Sequence, residues 1–550
     1  MKAAELFVRC LENEGVEYIF GVPGEENVHF LMALKDSAIR FILCRHEQGA
    51  AFMADAYGRL TGKAGVCLGT LGPGATNLVT GVANANLDRS PLVVITAQAD
   101  STRQHKESHQ TMDVVGMFRP ITKWAQPIRH PHNIPEVVRK AFQLAQEQKT
   151  GACHIELAND IAALEVSNRP IPVHAPKPPV ADAETINEAL FMIRRAQKPI
   201  ILAGNGVIRG RAAPALREFT EKTEIGVVST FMGKGAVPRK SPYCLFTIGL
   251  QTRDYTWDAV NNADLVITLG YDLIEYPPVI WNQCDRPVKI IHMDFLSAEA
   301  DDYYRVDLEV VGDLRHTLEM INKSLAENIS PEFDLSYQKK LRLKMQEDLR
   351  QYKDDDTRGL VRPQKIIWDV REVMGEKDIL LSDVGAHKMW TARYYHCDRP
   401  NTCLIPNGFC SMGFALPAAI GAQMVYPGRK VLAICGDGGF LMNLQELETA
   451  VRLGLKPVIM IWEDKGYGLI KWKQEIHFHK HTKVNFNNPD FVRLAESFGC
   501  QGLRVENAVD LKPALEKAFQ AGCPALLAVQ VDYRENLLLT ERLGRIQCAV

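Results

Sequence analysis

The residues best suited to chemistry lie in KVLAICGDGGFLMNLQELETAVRLGLKPVIMIWEDKGYGLIKW (430–472). Asp437 follows the apolar run VLAIC (431–435) and Asp464 follows VIMIW (458–462), both runs of buried-strand type. Leu441, Leu444, Leu447 and Val451 recur between them at helical spacing, and Gly454 offers a stop. The pattern predicts a βαβ unit with parallel strands and a right-handed crossover. Parallel strands end on one edge of a sheet, so both carboxylates are expected at one crevice. The Gly436, Gly438 and Gly439 turn would let backbone amides approach a phosphate at the start of the helix. Two aspartate oxygens beside such a cradle suit a hard cation such as Mg²⁺. A tight turn flanked by two solvated acids fits this stretch equally well, because a single glycine motif carries little information.

Glu47 is the second candidate. It follows the apolar strand FILC and opens a helix of small residues, Gly49, Ala50, Ala51 and Ala54, that would pack closely. A carboxyl shielded from water there suits proton transfer. Taken alone, an acid favouring the helix dipole at a first turn is the better reading. HQTMD (109–113) adds Gln110 as a candidate donor to substrate, with an exposed loop as an equal alternative.

The elements that must position these residues alternate along the chain. In residues 1–165 the pattern predicts helices over 3–14, 26–35, 48–60 and 74–86, and strands over 17–20, 39–44, 64–69 and 92–96. This is the signature of a parallel α/β sheet. The loops GVPGEEN (21–27), RHEQGAAFMADAYGR (45–59) and GTLGPGATN (69–77) fall at strand C-terminal ends. Residues 166–183 carry five prolines and read as a linker. Beyond it, KPIILAGNGVI (198–208), ADLVITLGYD (263–272) and VKIIHMD (288–294) make a second α/β domain. A flavin or nucleotide could sit on its Gly204/Gly206 turn, but a structural spacer is the better reading of so weak a motif. Residues 330–361, rich in charge, read as a solvated helix and second linker. A third domain follows, with a strand over 378–382, SDVGAHKMW (382–390) and NGFCSMGFALPAAIGA (407–422). Three doubly wound α/β domains are therefore expected, over 1–168, 183–330 and 362–550.

Composition narrows the class. The 550 residues are 46% hydrophobic and 24% charged with a net charge of −2, an ordinary globular balance. There is no concentrated basic face for nucleic acid and no apolar run of membrane-spanning length. The N-terminus begins as an amphipathic helix rather than a signal peptide. Thirteen cysteines without any CxxC pair argue against a zinc site or disulfide framework and for a reducing cytoplasm.

Together the separated motifs resemble the thiamine-diphosphate enzymes of the pyruvate-decarboxylase superfamily, and within it the acetolactate synthases, over nearly the full length. GDGGFLMN with Asp464 is similar to the family's diphosphate–metal motif. RHEQGAAFMADAYGR with GTLGPGATN resembles the pyrimidine-side motif, and NGFCSMGFALPAAIGA the segment that bends the cofactor. The resemblance implies pyrimidine, central and diphosphate domains, with sites between subunits of a homodimer or homotetramer. It implies thiamine diphosphate and Mg²⁺, with Asp437, Asp464 and the Gly466 carbonyl as metal ligands. Catalytic roles would fall to Glu47, hydrogen-bonded to N1′ of the aminopyrimidine, to Met412 beneath the thiazolium, and to Gln110 near the reacting carbons. Cofactor contacts would come from Gly24, Gly72, Asn77, Gly385, His387, Cys410, Gly436, Gly438, Gly439, Gly466, Tyr467, Gly468 and Leu469.

The implied reaction joins pyruvate, after loss of CO₂, to a second 2-keto acid to give 2-acetolactate. That product leads to acetoin and to branched-chain amino acids. Another thiamine-dependent decarboxylase and a flavin-containing pyruvate oxidase are the alternatives. Two departures stand out. Asp464 replaces an asparagine common in the family. LGYDLIEYPPVIWN (269–282) replaces the Arg-Phe-Asp-Asp-Arg-like run of the flavin-containing synthases and looks more like the catabolic, flavin-free type, so FAD is not expected. Lys473 aligns where biosynthetic enzymes hold a tryptophan, with Trp472 one residue earlier, which leaves the acceptor open.

Overall fold

The computed structural model describes residues 1–174, 177–250, 254–282, 288–326 and 332–543. They form three parallel six-stranded sheets, each flanked by helices. The first comprises β1 (Tyr18–Gly21), β2 (Arg40–Leu43), β3 (Gly65–Gly69), β4 (Leu92–Gln98), β5 (Trp124–Ile128) and β6 (Ala152–Ala158), in the order 2-1-3-4-6-5. The second comprises β7 (Pro199–Ala203), β8 (Val227–Ser229), β9 (Cys244–Thr247), β10 (Leu265–Leu269), β11 (Lys289–Asp294) and β12 (Leu308–Val311), in the order 12-11-10-7-8-9. The third comprises β13 (Ile379–Ser382), β14 (Cys403–Leu404), β15 (Val431–Gly436), β16 (Val458–Glu463), β17 (Gln501–Val505) and β18 (Ala525–Gln530). Its order, 14-13-15-16-18-17, repeats that of the first sheet strand for strand. The central sheet instead follows the dinucleotide-fold order. No helix among the described residues is long and apolar enough to cross a membrane.

The continuous apolar runs become fully buried strands because helices cover both sheet faces: β3, β4, β6, β7 and β10 are buried along their whole length. The first and third domains share a core. The small-residue helix Glu47–Thr61 packs against Ala415–Val425 of the third domain and Pro73–Leu87 of its own. Glycine makes that approach fit: a Cβ on Gly421 would lie 2.5 Å from the Met53 carbonyl, and one on Gly81 would lie 2.4 Å from the Ala51 Cβ.

Two expectations need correction. The helical spacing of Leu441 to Val451 does not make one helix. A single turn, Asp437–Phe440, is followed by a bend and then Glu446–Arg452. Side chains win over periodicity there, for Asn443 in the bend donates to the Gly413 carbonyl at 2.8 Å. The charged stretch after 330 is not merely solvated either. Its helix, Ser336–Arg350, buries Leu341 and Met345 against the central domain. Gln338 bridges that domain's strands, accepting from Gly226 N at 3.0 Å and donating to the Pro199 carbonyl at 2.8 Å.

The Gly204 turn of the central domain is filled from within. The buried Glu275 carboxylate accepts from Asn205 N at 3.0 Å to each oxygen, from Asp272 N at 3.2 Å and from the Thr230 hydroxyl. Burial, and then the Asp272 charge, push its carboxyl up to about 7. The Asn205 and Asp272 amides at this turn are thus used within the domain.

Candidate active site

The third domain assembles the acidic crevice. β15 and β16 are neighbours in register, Gly436 opposite Trp462, so Asp437 and Asp464 emerge side by side at their C-terminal edge. Asp437 is buried. Its Oδ2 accepts from Lys465 N (2.7 Å), Asn488 Nδ2 (2.8 Å) and Asp464 N (3.1 Å), and its Oδ1 from Gly438 N (2.8 Å). Burial raises its carboxyl pKa against the pull of those donors. Asp464 is pushed up to about 7, first by burial and then by the Asp437 charge. Neither carboxylate forms an ion pair among the described residues. Two adjoining acids, Asp437 buried and Asp464 half-buried, disfavour each other's ionisation without a cation, and a divalent ion reverses that cost. No set of three His, Cys, Asp or Glu side chains among the described residues encloses a metal. Carbonyl, phosphate and water oxygens must therefore complete the shell, as Mg²⁺ prefers.

The phosphate cradle adjoins these acids. His387 is buried, and desolvation holds its imidazole down to about 3, so the ring is neutral. Its Nε2 has no hydrogen-bond partner. Gly385 and Gly436 lie against the ring, where added Cβ atoms would be 2.8 and 3.1 Å from Cε1. A Cβ on Gly438 would lie 3.0 Å from the Tyr467 ring, one on Gly439 3.2 Å from the Asp383 carboxylate, and one on Gly468 2.8 Å from Asp464 Oδ2. Gly466 pairs with Asn485 in an antiparallel bridge, and the exposed Tyr467 meets Phe486 edge-on at 5.2 Å. Leu469 packs on the domain core. An unpartnered buried imidazole nitrogen, a glycine-lined turn and two unpaired acids fit a diphosphate with Mg²⁺.

The loop carrying Met412 is held from three sides. Cys410 has φ +57°, and its Sγ accepts from Lys388 Nζ at 3.1 Å. Ser411 N donates to Asn84 of the first domain at 3.3 Å. Gly413 N donates to the buried Asp383 carboxylate at 2.9 Å, and burial pushes that acid up to about 6.

The first domain gathers a second cluster. Glu47 is the first residue of its helix, capped by the His46 ring, which accepts from Gln48 N at 3.1 Å. The Glu47 carboxylate is buried and accepts from Asn77 Nδ2 at 3.0 Å. Thr70 sits between Gly24 and Gly74, and a Cβ on Gly74 would lie 3.3 Å from Glu47 Oε1. Gly72, at φ +52°, approaches the backbone of Gln110, itself exposed and at φ +59°. Glu47, Asn77, Gly24, Gly72 and Gln110 thus come together. Among the described residues no hydrogen bond joins this cluster to Asp437, Asp464 or Met412. The chain thus carries two clusters, each a candidate half-site.

Sequence reasoning missed the residues that orient these groups: Asp383, Asn443, Glu446 and Asn488. Asp383, Asn443 and Glu446 lay inside quoted motifs but only folding shows what they touch, and Asn488 stood in no motif at all. Trp472, beside the acceptor position, is buried and donates to Thr540 Oγ1 at 3.0 Å, which spends it on packing. Lys473 is half-buried. A cavity of about 460 Å³ next to Asp464 is lined by Lys471, Trp472, Tyr533 and Leu537.

Three α/β domains, one presenting an acid pair and phosphate cradle and another a shielded carboxyl, define an enzyme built for a diphosphate cofactor with a divalent ion. The chain belongs to the thiamine pyrophosphate enzymes. Their N-terminal TPP binding domain matches residues 1–117, their central domain 186–321 and their C-terminal TPP binding domain 383–529. The chain is 37% identical to a Bacillus subtilis protein named acetolactate synthase, over 98% of this chain and 94% of that one. It is equally similar, at 37%, to a catabolic acetolactate synthase of Raoultella terrigena, covering 98% and 97% of the two chains. An Escherichia coli acetolactate synthase isozyme 2 large subunit is 32% identical, again over 98% and 97%.

Proposed function

We propose that this chain is an acetolactate synthase that decarboxylates pyruvate and joins the remaining two-carbon unit to a second 2-keto acid, pyruvate by default. The observation that carries the reading is the presence in one chain of the shielded Glu47 carboxyl and the Asp437–Asp464 crevice, in a chain similar end to end to proteins bearing that name. Bound thiamine diphosphate supplies the nucleophilic carbon and the electron sink for loss of CO₂.

The chain's own residues bind, orient and shield. Asp437, Asp464 and the Gly466 carbonyl would hold Mg²⁺, and Gly385, His387, Gly436, Gly438 and Gly439 the diphosphate. Gly468, Tyr467 and Leu469 follow on the same edge. Met412 would support the bent cofactor, and the Cys410 carbonyl would accept from its amino group. Glu47, fixed by Asn77, would share a proton with N1′ of the pyrimidine. Gly24, Gly72 and Gln110 would lie around the substrate and exclude water. As the family resemblance implies, Glu47 would enter the site of a second copy, making the working unit at least a dimer.

Incubation with pyruvate, thiamine diphosphate and Mg²⁺ should yield acetolactate, read as acetoin after acid treatment. Acetaldehyde alone would make the protein a simple decarboxylase, and hydrogen peroxide with bound flavin would make it an oxidase. Glu47→Gln should keep cofactor binding and cut turnover by about 10² to 10⁴. Near-normal turnover would remove Glu47 from the proton transfer.

A further inference from the structure

Glu446 is fully buried, yet it belongs to neither half-site. It opens the helix Glu446–Arg452 in the third domain and points its carboxylate at the first. Oε1 accepts from Arg45 N at 3.1 Å and from His46 N at 3.0 Å, and Oε2 lies 3.3 Å from Arg45 N. Arg45 and His46 are the two residues before Glu47, and His46 caps its helix. The Thr449 hydroxyl holds the carboxylate from behind at 2.7 Å. A Cβ on Gly49 would come within 2.6 Å of Oε1, so the start of the Glu47 helix is pressed directly onto this acid. A buried carboxylate is costly unless its acceptors are used, and here two of its donors are backbone amides that no side-chain substitution can move.

The same short stretch makes two other ties. Asn443, whose carbonyl accepts from Glu446 N at 3.1 Å, donates to Gly413 beside Met412 at 2.8 Å. Asp437 stands at its beginning. Residues 437–446 therefore carry the cation-side acid and tie the Met412 loop, through Asn443, and the entry to the Glu47 helix, through Glu446.

We propose that Glu446 is a positioning residue for Glu47: it fixes the carboxyl that its own chain lends to the second subunit's site, without serving the cofactor bound by its own third domain. The inference rests on the reading above that the site forms between subunits. Glu446→Ala should lower kcat about a hundredfold, the effect of a displaced catalytic group, with KM and thiamine diphosphate affinity within about threefold. Backbone amide exchange in residues 44–50 should accelerate, while the rest of the first domain keeps its rates. Glu446→Gln, which retains one acceptor, should fall between; it also replaces the alanine variant if that one does not fold.

Mixing separates the alternatives. Glu446→Ala chains combined with Asp437→Ala chains should recover about a quarter of wild-type activity, because half of randomly mixed dimers are hybrids with one intact site. Glu47→Gln mixed with Asp437→Ala tests the underlying reading and should recover likewise. If that control recovers and the Glu446→Ala mixture does not, Glu446 serves its own chain's cofactor and the inference is overturned. If the control itself fails, the site does not lie between subunits, and both readings fall. Unchanged exchange at residues 44–50 in Glu446→Ala would also overturn the inference.

Discussion

The Gly436 turn of the third domain and the Gly204 turn of the central domain are built alike. Each follows a buried parallel strand, opens a short helix and brings its amides to the sheet's carboxyl edge. What faces them differs. At Gly204 the chain supplies its own anion, Glu275, whose oxygens use the Asn205 and Asp272 amides and the Thr230 hydroxyl. At Gly436 the chain supplies two acids that compete for ionisation and a histidine nitrogen left without a partner. A glycine turn becomes a site when its surroundings are unsatisfied without a ligand, and a structural joint when they are complete.

The most drastic way to break the comparison is Asp437→Ala. It removes the acceptor of three backbone amides and Asn488 along with the proposed ligand for the cation. Mg²⁺ and thiamine diphosphate affinity should fall together by about 100-fold or more, measured by titrating cofactor into the apo protein. Unchanged affinity would take Asp437 out of the metal site. At the other turn, Glu275→Ala should leave cofactor affinity alone and lower the unfolding free energy by about 2–3 kcal/mol, because buried donors lose their acceptor. Denaturant midpoints decide this; a loss of affinity without a loss of stability would mean that the central turn also serves a ligand.

This contrast marks how far the sequence could be read. Alternating apolar runs and glycine turns gave four strands of the first sheet and three of each of the others, and Asp437, Asp464 and Glu47 stood out because each follows a strand at the carboxyl edge of its own sheet. The sequence favoured a spacer at Gly204 but could not show what fills that turn, since Glu275 lies far along the chain. It also could not show Glu446 reaching Arg45, or Asn443 bending a helix that leucine spacing extended. Long-range hydrogen bonds from polar side chains leave no period to read.

A smaller effect follows from the acid pair. Asp464 is held up to about 7, against an ordinary 3.8, by burial and by Asp437. Cation binding requires that proton to leave. Apparent Mg²⁺ affinity should therefore fall below pH 7, by up to about tenfold per unit, and level off above it. For the apo fold the sign is opposite to the usual carboxylate case. The folded state keeps a proton that the unfolded chain has lost between about pH 4 and 7, so stability falls as pH rises through that window, by at most about 1.4 kcal/mol per unit. Saturating Mg²⁺ should cancel the fall, and Asp464→Asn should flatten both curves.

The mildest test compares glycines at the two turns. A Cβ on Gly204 would meet the Gly270 carbonyl at 2.4 Å and the Tyr271 Cα at 2.6 Å, both backbone atoms of a packed joint. A Cβ on Gly438 would meet nearest the rings of Tyr467 and Phe486, at 3.0 and 3.2 Å, side chains rather than backbone, with Tyr467 exposed. Gly204→Ala should thus destabilise the fold by about 1–3 kcal/mol and spare cofactor affinity. Gly438→Ala should change stability by less than about 1 kcal/mol and weaken the cofactor only a few-fold, because its methyl stands where a phosphate would approach the amide. The same substitution thereby reads two properties: rigidity where the chain closed the turn on itself, and affinity where it left the turn for a ligand. If both variants lost stability equally and neither lost affinity, the Gly436 turn would be a joint as well.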